Sequence, residues 1–365
     1  MPFLVPEQRG QEPLVVDPEE ARRRAVDAGL IVHNDHPLNC ETSVTELLGG
    51  VFMPSAHFYV RNHFHIPKLD PKSFRLRVTG LVRRTLGLSL RDLDNMPSKT
   101  LLVTLECAGN GRALFEPPIS GEHWELGAVS TAEWTGVSLP LVLERAGALE
   151  PAVEVVFRGA DGAGGKRFER SLPLELARDP DVLLAYAMNG ERLPREHGYP
   201  LRLIVPRWYA MASVKWLTEI ELVERPFRGP FQTDKYWYEG ESSAAGERRP
   251  VALQRVRALI AEPGVYEQVP RGPLAIRGVA WSGGAPIARV DVSLGDEFLE
   301  ARLIGTPLPH AWQRWELLTR VDHPGRVIVR VRATDRAGNV QPERAEWNAQ
   351  GYGNNAMHRV PIRVV

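Results

Sequence analysis

The chain has two cysteines in 365 residues, and Cys107 stands where chemistry is expected. In TLECAGNGRALFEPP (residues 104–118) an alternating, strand-type run breaks into a glycine-rich turn at that cysteine, and Arg112 follows five residues later. A cysteine so placed suits three roles: a small buried hydrophobe, a nucleophile or a metal ligand. A nucleophile needs a base, and no short motif fixes one beside it. A single thiolate suits a soft metal centre whose other ligands come from a cofactor. Cys40 lies in an N-terminal arm. With no C-x-x-C pair and no C-x-x-C-H, both cysteines are expected as free thiols, outside any disulfide framework or covalent haem site.

The histidines offer a rival centre. HFYVRNHFHIP clusters His57, His63 and His65, and a strand would put His63 and His65 on one face as a zinc pair. Spacing supplies no third ligand, so a histidine bonded to backbone or to a bound anion is the simpler reading. The cations say more. Only 6 of the 45 basic residues are lysine, yet Lys215 lies in the mostly apolar MASVKWLTEI. Such a lysine either snorkels or meets an anion. Arg61, Arg112 and Arg202 are likewise embedded in apolar or glycine-rich segments, and arginine forks match oxyanions.

The elements that must position these groups are short. The composition, 43% hydrophobic and 25% charged, supports a large core and two domains. The 30 prolines and 32 glycines favour turns and short strands. Acidic and basic residues balance at 45 each, so no global field favours nucleic acid or an anionic membrane. No apolar run reaches membrane-span length and the first residues lack a signal-peptide pattern, which places the chain as given in the cytoplasm; a longer precursor would allow the periplasm. DPEEARRRAVDAG (17–29) predicts a surface helix, followed by an irregular arm to about residue 50. From 51 to 248, strands such as FYVRNHFHIP, FRLRVTGLV, TLLVTLEC, VEVVFRGADG and LRLIVPRWY mix with helical pieces such as SLPLVLERAG, an α+β domain. RPFRGPFQTDKYWYEGESSAAGERRPV is polar and turn-rich, like a connector. From 249 to 365, period-2 strands at regular spacing predict an all-β, immunoglobulin-like sandwich, without the Cys–Trp–Cys core of antibody domains.

FYVRNHFHIP, TLECAGNGR, VLLAYAMNGERLPREHGYPLRLIVP, SVKWL, GVAWSGG, ARVDVSL and EWNAQGYGNNAMHRVPI resemble, in order, the signature segments of the sulfite oxidase family of molybdenum enzymes, from about residue 55 to the end. The resemblance implies a molybdopterin-binding domain followed by a dimerisation domain, with Cys107 as the one protein ligand of molybdenum. It assigns the pterin to Tyr59, Val60, Arg61, Asn62, His63, Asp161, His197, Arg202, Ser213, Val214 and Lys215. It places Arg61, Arg112 and Trp124 around an anionic substrate. Three positions depart from the family. Gly111 stands where many relatives carry a second arginine, Phe168 near an active-site tyrosine, and Gln350 where sulfite oxidases present another arginine. The implied activity is oxo transfer, sulfite to sulfate, with electrons leaving to a separate carrier such as a cytochrome, in a homodimer. A reductase of nitrate or an S-oxide, or a non-enzymatic β-sandwich binding protein, are the alternatives.

Overall fold

The computed structural model describes residues 14–239 and 248–365. The predicted surface helix is Pro18–Asp27, capped by the Asp17 side chain, which accepts from the Glu19 N–H at 3.0 Å. The arm after it is more ordered than its sequence suggests. Strands Ile31–Asp35 and Leu38–Glu41 form a hairpin, and Cys40 exchanges backbone hydrogen bonds with Val60 at 2.9 Å. Cys40 is fully buried.

Two five-stranded sheets build the first part of the chain. One runs Glu191–Arg192, Leu183–Met188, Val129–Ser138, Ser98–Glu106, with Arg202–Ile204 also on Leu183–Met188. The other runs Leu86–Leu88, Leu76–Gly80, Leu217–Val223, Glu154–Ala163, Lys166–Pro173, and its one parallel pair joins Leu76–Gly80 to Leu217–Val223. SLPLVLERAG forms the expected helix Leu139–Ala146, burying Leu139, Val142, Leu143 and Ala146 and ending at Gly147 in the left-handed region. FYVRNHFHIP is not a strand. Apart from the Cys40–Val60 and Val15–Pro67 bridges it is irregular, because its backbone and side chains bond to the arm rather than to a sheet: the Asn62 N–H donates to Asn39 Oδ1 at 2.7 Å and Asn62 Nδ2 to the Leu38 carbonyl at 2.8 Å. No helix among the described residues is long and apolar enough to cross a membrane.

The C-terminal strands form one eight-stranded all-β sheet, Arg257–Glu262, Gly272–Trp281, Gln313–Val321, Phe298–Ile304, Ile287–Ser293, Gly325–Asp335, His358–Val364, Gln268–Val269. Alternation drives it. Val329, Val331, Ala333 and Asp335 point inward while the residues between them are partly exposed. The sheet curls until its first strand meets its later ones, where His358 Nδ1 accepts the Ile260 N–H at 3.0 Å. Val290, Val292, Trp315, Val331, Val360 and Ile362 fill the interior.

A buried ion pair fastens this sheet to the first part of the chain. Arg257 donates to Glu106 at 3.0 Å, and both side chains are 2% exposed. Glu106 is the last residue of the strand that leads into Cys107. Its second oxygen accepts from the Trp281 indole at 2.8 Å, and Asn110 Nδ2 donates to the first at 3.1 Å. Gln254 and Trp312 also bond to Thr104 in the same strand.

Two predictions follow from these contacts. Arg257→Met should strand the Glu106 carboxylate and cost about 3–5 kcal/mol in urea unfolding, and the double variant Glu106→Gln/Arg257→Met should recover much of that loss. The second concerns pH. Burial pushes His358 down to about 3, so the folded chain keeps it neutral while the unfolded chain protonates it below about 6.5. Stability should therefore fall as pH drops from about 6 to 4, by about 1.4 kcal/mol per pH unit from this residue, and His358→Gln should remove that part of the slope in paired denaturations.

Candidate active site

The Cys107 turn is shaped by backbone bonds and two glycines. The Cys107 N–H donates to the Ala128 carbonyl and its own carbonyl accepts from Asn110, both at 2.9 Å. A Cβ at Gly109 would lie 2.7 Å from an Arg112 guanidinium nitrogen, so only glycine lets that arginine fold back over the turn. Gly111 has φ +84°, and a Cβ there would sit 2.9 Å from Arg257. The arginine that relatives place at 111 is thus incompatible with this geometry unless the Arg257 ion pair shifts. The two thiols differ by surroundings. Burial pushes Cys40 up to about 12, leaving it inert. Burial also raises Cys107, but there the Arg61 and Arg112 charges pull the other way.

Cys107 lines a cavity. Tyr59, Arg61, Asn62, His63, Asp161, His197, Arg202, Ser213 and Lys215 line it too, so nine of the eleven residues assigned to the pterin converge with the thiol. Val60 and Val214 lie beside it, one in the bridge to Cys40 and one accepting the Leu203 N–H. The histidines do not converge. His57 lies 3.8 Å from Glu46, His63 enters the cavity and His65 packs near His36.

The electrostatics of this cavity are unusual. Arg202 is 4% exposed and donates to the carbonyls of His197, Ser213 and Leu203, at 3.0, 3.1 and 3.5 Å, with its guanidinium 4.7 Å over the Trp134 ring. Burial lowers it to about 10. Lys215 does not snorkel: its ammonium donates to Asn62 Oδ1 and, at 2.8 Å, to the Glu196 carbonyl, over the Trp216 ring. Burial and the Arg202 charge lower it strongly. Arg61 reaches Asn39 Oδ1 at 3.4 Å and the His63 ring. Among the described residues none of these three cations has a carboxylate within ion-pair distance. Asp161 is buried, burial pushes it up to about 7, and its Oδ1 has no partner. A buried Arg202 with the half-buried Arg61 and Lys215 beside it, none ion-paired among the described residues, and an orphaned carboxyl oxygen fit a polar, anionic guest. Together with one thiolate, they fit a molybdopterin: Arg202, Lys215, Ser213 and His197 would hold its phosphate and rings, and Cys107 its metal.

Three other residues that the family resemblance singles out lie off the cavity wall. Arg112 is buried, donates to the carbonyls of Gln350 and Glu122 at 3.2 and 3.1 Å, and packs on Tyr352. Trp124 is fully buried against His33. Gln350 spends its amide on backbone, accepting from the Tyr236 N–H at 3.1 Å and donating to the Asp234 carbonyl at 3.2 Å. It is a strut for the 234–236 turn in this structure. Phe168 does face the cavity and stacks on His63. The residue missed by sequence reasoning is Tyr236, from the stretch read as a polar connector: it is 5% exposed, lines the cavity and bonds to His63 at 2.7 Å. Its neighbours Phe231, Trp237 and Tyr238 made that stretch unusually aromatic for a linker, and this was the available signal.

The chain is similar throughout to known molybdenum proteins. Residues 63–231 match the oxidoreductase molybdopterin binding domain and 250–365 the Mo-co oxidoreductase dimerisation domain. The sulfite oxidase of Gallus gallus is 37% identical over 96% of this chain and 80% of its own length. The chain belongs to the sulfite oxidase family. It is a molybdenum-cofactor oxidoreductase. The mitochondrial sulfite oxidase of Rattus norvegicus is 34% identical over 99% of this chain and 70% of its own, and a nitrate reductase of Brassica napus is 33% identical over 90% of this chain and 40% of its own. The crystal structure of the sulfane dehydrogenase SoxCD from Paracoccus pantotrophus superposes with a TM-score of 0.82, 28% identity, and 98% and 92% coverage.

Among members of this family the buried cations make a test possible on cofactor retention. Lys215→Met should leave the protein folded, because its lysine is destabilised by burial, yet lower the pterin recovered per chain after gel filtration by about tenfold, measured by fluorescence of the oxidised pterin, as expected for losing one charge-assisted contact.

Proposed function

We propose that this protein oxidises sulfite to sulfate at the Cys107 cavity and passes the two electrons to a separate carrier. The observation that carries the reading is the set of cations gathered around a lone cysteine, without carboxylate partners among the described residues. Bound molybdenum would supply the oxo group and accept the electron pair. The chain's own residues bind and orient. Arg61, at the His63 side of the cavity, holds a small oxyanion. Arg112, held by two carbonyls behind Tyr352, adds positive potential at the same end. Phe58 lines the cavity beside Cys107, and Trp124 packs in the same apolar cluster off the wall. The electron carrier, a cytochrome or a similar one-electron protein, docks from outside. The C-terminal sheet pairs with its twin in a homodimer, consistent with its match to a dimerisation domain.

A second reading rests on the rim. Phe168 and Tyr236, backed by Phe231 and Tyr352, make it aromatic, and neither Gly111 nor Gln350 brings to it the cation that the family resemblance leads one to expect. That favours a less charged sulfur substrate of the sulfane type, or nitrate or an S-oxide with electrons running inward. Elemental analysis of purified protein should find molybdenum near one per chain. Sulfite should then reduce ferricyanide, and Cys107→Ser should remove that turnover while leaving the fold intact. Turnover of nitrate or a neutral S-oxide with a reduced dye, but not of sulfite, at full molybdenum, would move the assignment to the second reading, and absence of molybdenum would sink both.

A further inference from the structure

Phe168 cannot donate a hydrogen bond, yet the cavity does hold a tyrosine hydroxyl, from a different element. Tyr236 follows the short helix Pro230–Thr233 and is held in the left-handed region at φ +66°, where a bulky residue is strained. Three contacts hold it there. Its N–H is bound by Gln350, its ring stacks on Tyr352 at 5.0 Å, and the Arg170 guanidinium lies 5.3 Å from the centre of the same ring as a cation–π contact. Arg170 is 4% exposed, has no carboxylate within ion-pair distance among the described residues, and its Nε has no partner. Burial raises the phenol overall and Arg170 offsets only a small part of that rise, so the hydroxyl keeps its proton.

The direction of the Tyr236–His63 hydrogen bond follows from Arg61. An Arg61 terminal nitrogen lies 3.1 Å from His63 Nδ1 and 3.4 Å from Nε2, and a guanidinium can only donate. The nearer Nδ1 is therefore the acceptor. Burial among cations keeps the ring neutral, so its single proton sits on Nε2. Nε2–H donates to Tyr236 Oη at 2.7 Å. The phenol's own hydrogen is left without a protein acceptor among the described residues, on a side chain that lines the same cavity as Cys107.

We propose that Tyr236 donates this free hydrogen to the substrate oxyanion, taking the part that a tyrosine at position 168 would otherwise play, with His63 and Arg170 fixing its direction. The proposal rests on the cavity being the oxyanion site described above. Two experiments test it. Selective 15N-histidine spectra of the holoenzyme should show His63 as the neutral Nε2-protonated tautomer between about pH 6 and 8, with a shift on addition of sulfate; an Nδ1-protonated ring would reverse the bond and overturn the proposal. Tyr236→Phe, matched to the parent in molybdenum content, should bind sulfate about tenfold more weakly and lose roughly ten- to a hundredfold in kcat/KM for sulfite, as expected for one charge-assisted hydrogen bond. Adding Phe168→Tyr to that variant should restore part of both. Unchanged sulfate affinity and kcat/KM in Tyr236→Phe would overturn the proposal. A parent protein without molybdenum would instead defeat the cofactor reading, and the tautomer measurement, which needs no metal, would still decide the donor geometry.

Discussion

The Glu106–Arg257 ion pair is the contact on which the arrangement of this molecule turns. It joins the strand that delivers Cys107 to the first strand of the C-terminal sheet, and it is almost completely shielded from water. A buried pair is poor evidence of net stability, but it is intolerant of losing one member, because the survivor becomes an isolated buried charge. The indole of Trp281 and the Asn110 amide satisfy the remaining lone pairs of Glu106, and Arg257 also donates to the Asn110 carbonyl inside the turn. The C-terminal sheet therefore braces the cysteine turn directly. This also accounts for Gly111: the space beside it is taken by Arg257.

Charge is managed in opposite ways on the two sides of that turn. Towards the C-terminal sheet, buried charge is neutralised within the protein. Towards the cavity it is left open, with Arg61, Arg202 and Lys215 satisfied by carbonyls, amides and aromatic faces but by no carboxylate among the described residues. Carbonyls and rings fix the direction of these cations at modest energetic gain and leave their charge for a guest. A folded chain that buries several cations this way is under strain until an anion arrives, so binding of the anionic cofactor contributes to the stability of the folded state.

The rim of the cavity shows how one departure from a family pattern is answered by another element. Phe168 stacks on the face of His63 and has no hydroxyl, while Tyr236 brings one to the edge of the same ring. Gln350, short of a cation, uses both ends of its amide to hold the turn that carries Tyr236. Residues that look like losses in the sequence become supports for a differently built wall.

Much of the site was legible in the sequence because its parts are local. The CAGN turn, the odd lysine in MASVKWLTEI and the arginines in apolar segments are each visible as a residue type at variance with its neighbours, and the structure bears out that variance: Cys107, Arg112 and Arg202 are buried, and Arg61 and Lys215 line the cavity. The period-2 strands of the C-terminal region were legible for the same reason, since alternation is written residue by residue. What needed the tertiary structure were the pairings between distant segments. FYVRNHFHIP reads as a strand by composition, yet its donors and acceptors are taken by the arm, more than twenty residues away. The connector reads as polar, yet Tyr236 is buried because Gln350, 114 positions later, and Tyr352 close over it. Residue types and their periodicity determine which groups seek burial or a charged partner; which partner they obtain is decided only when chain segments far apart in sequence compete for the same space and the same hydrogen bonds.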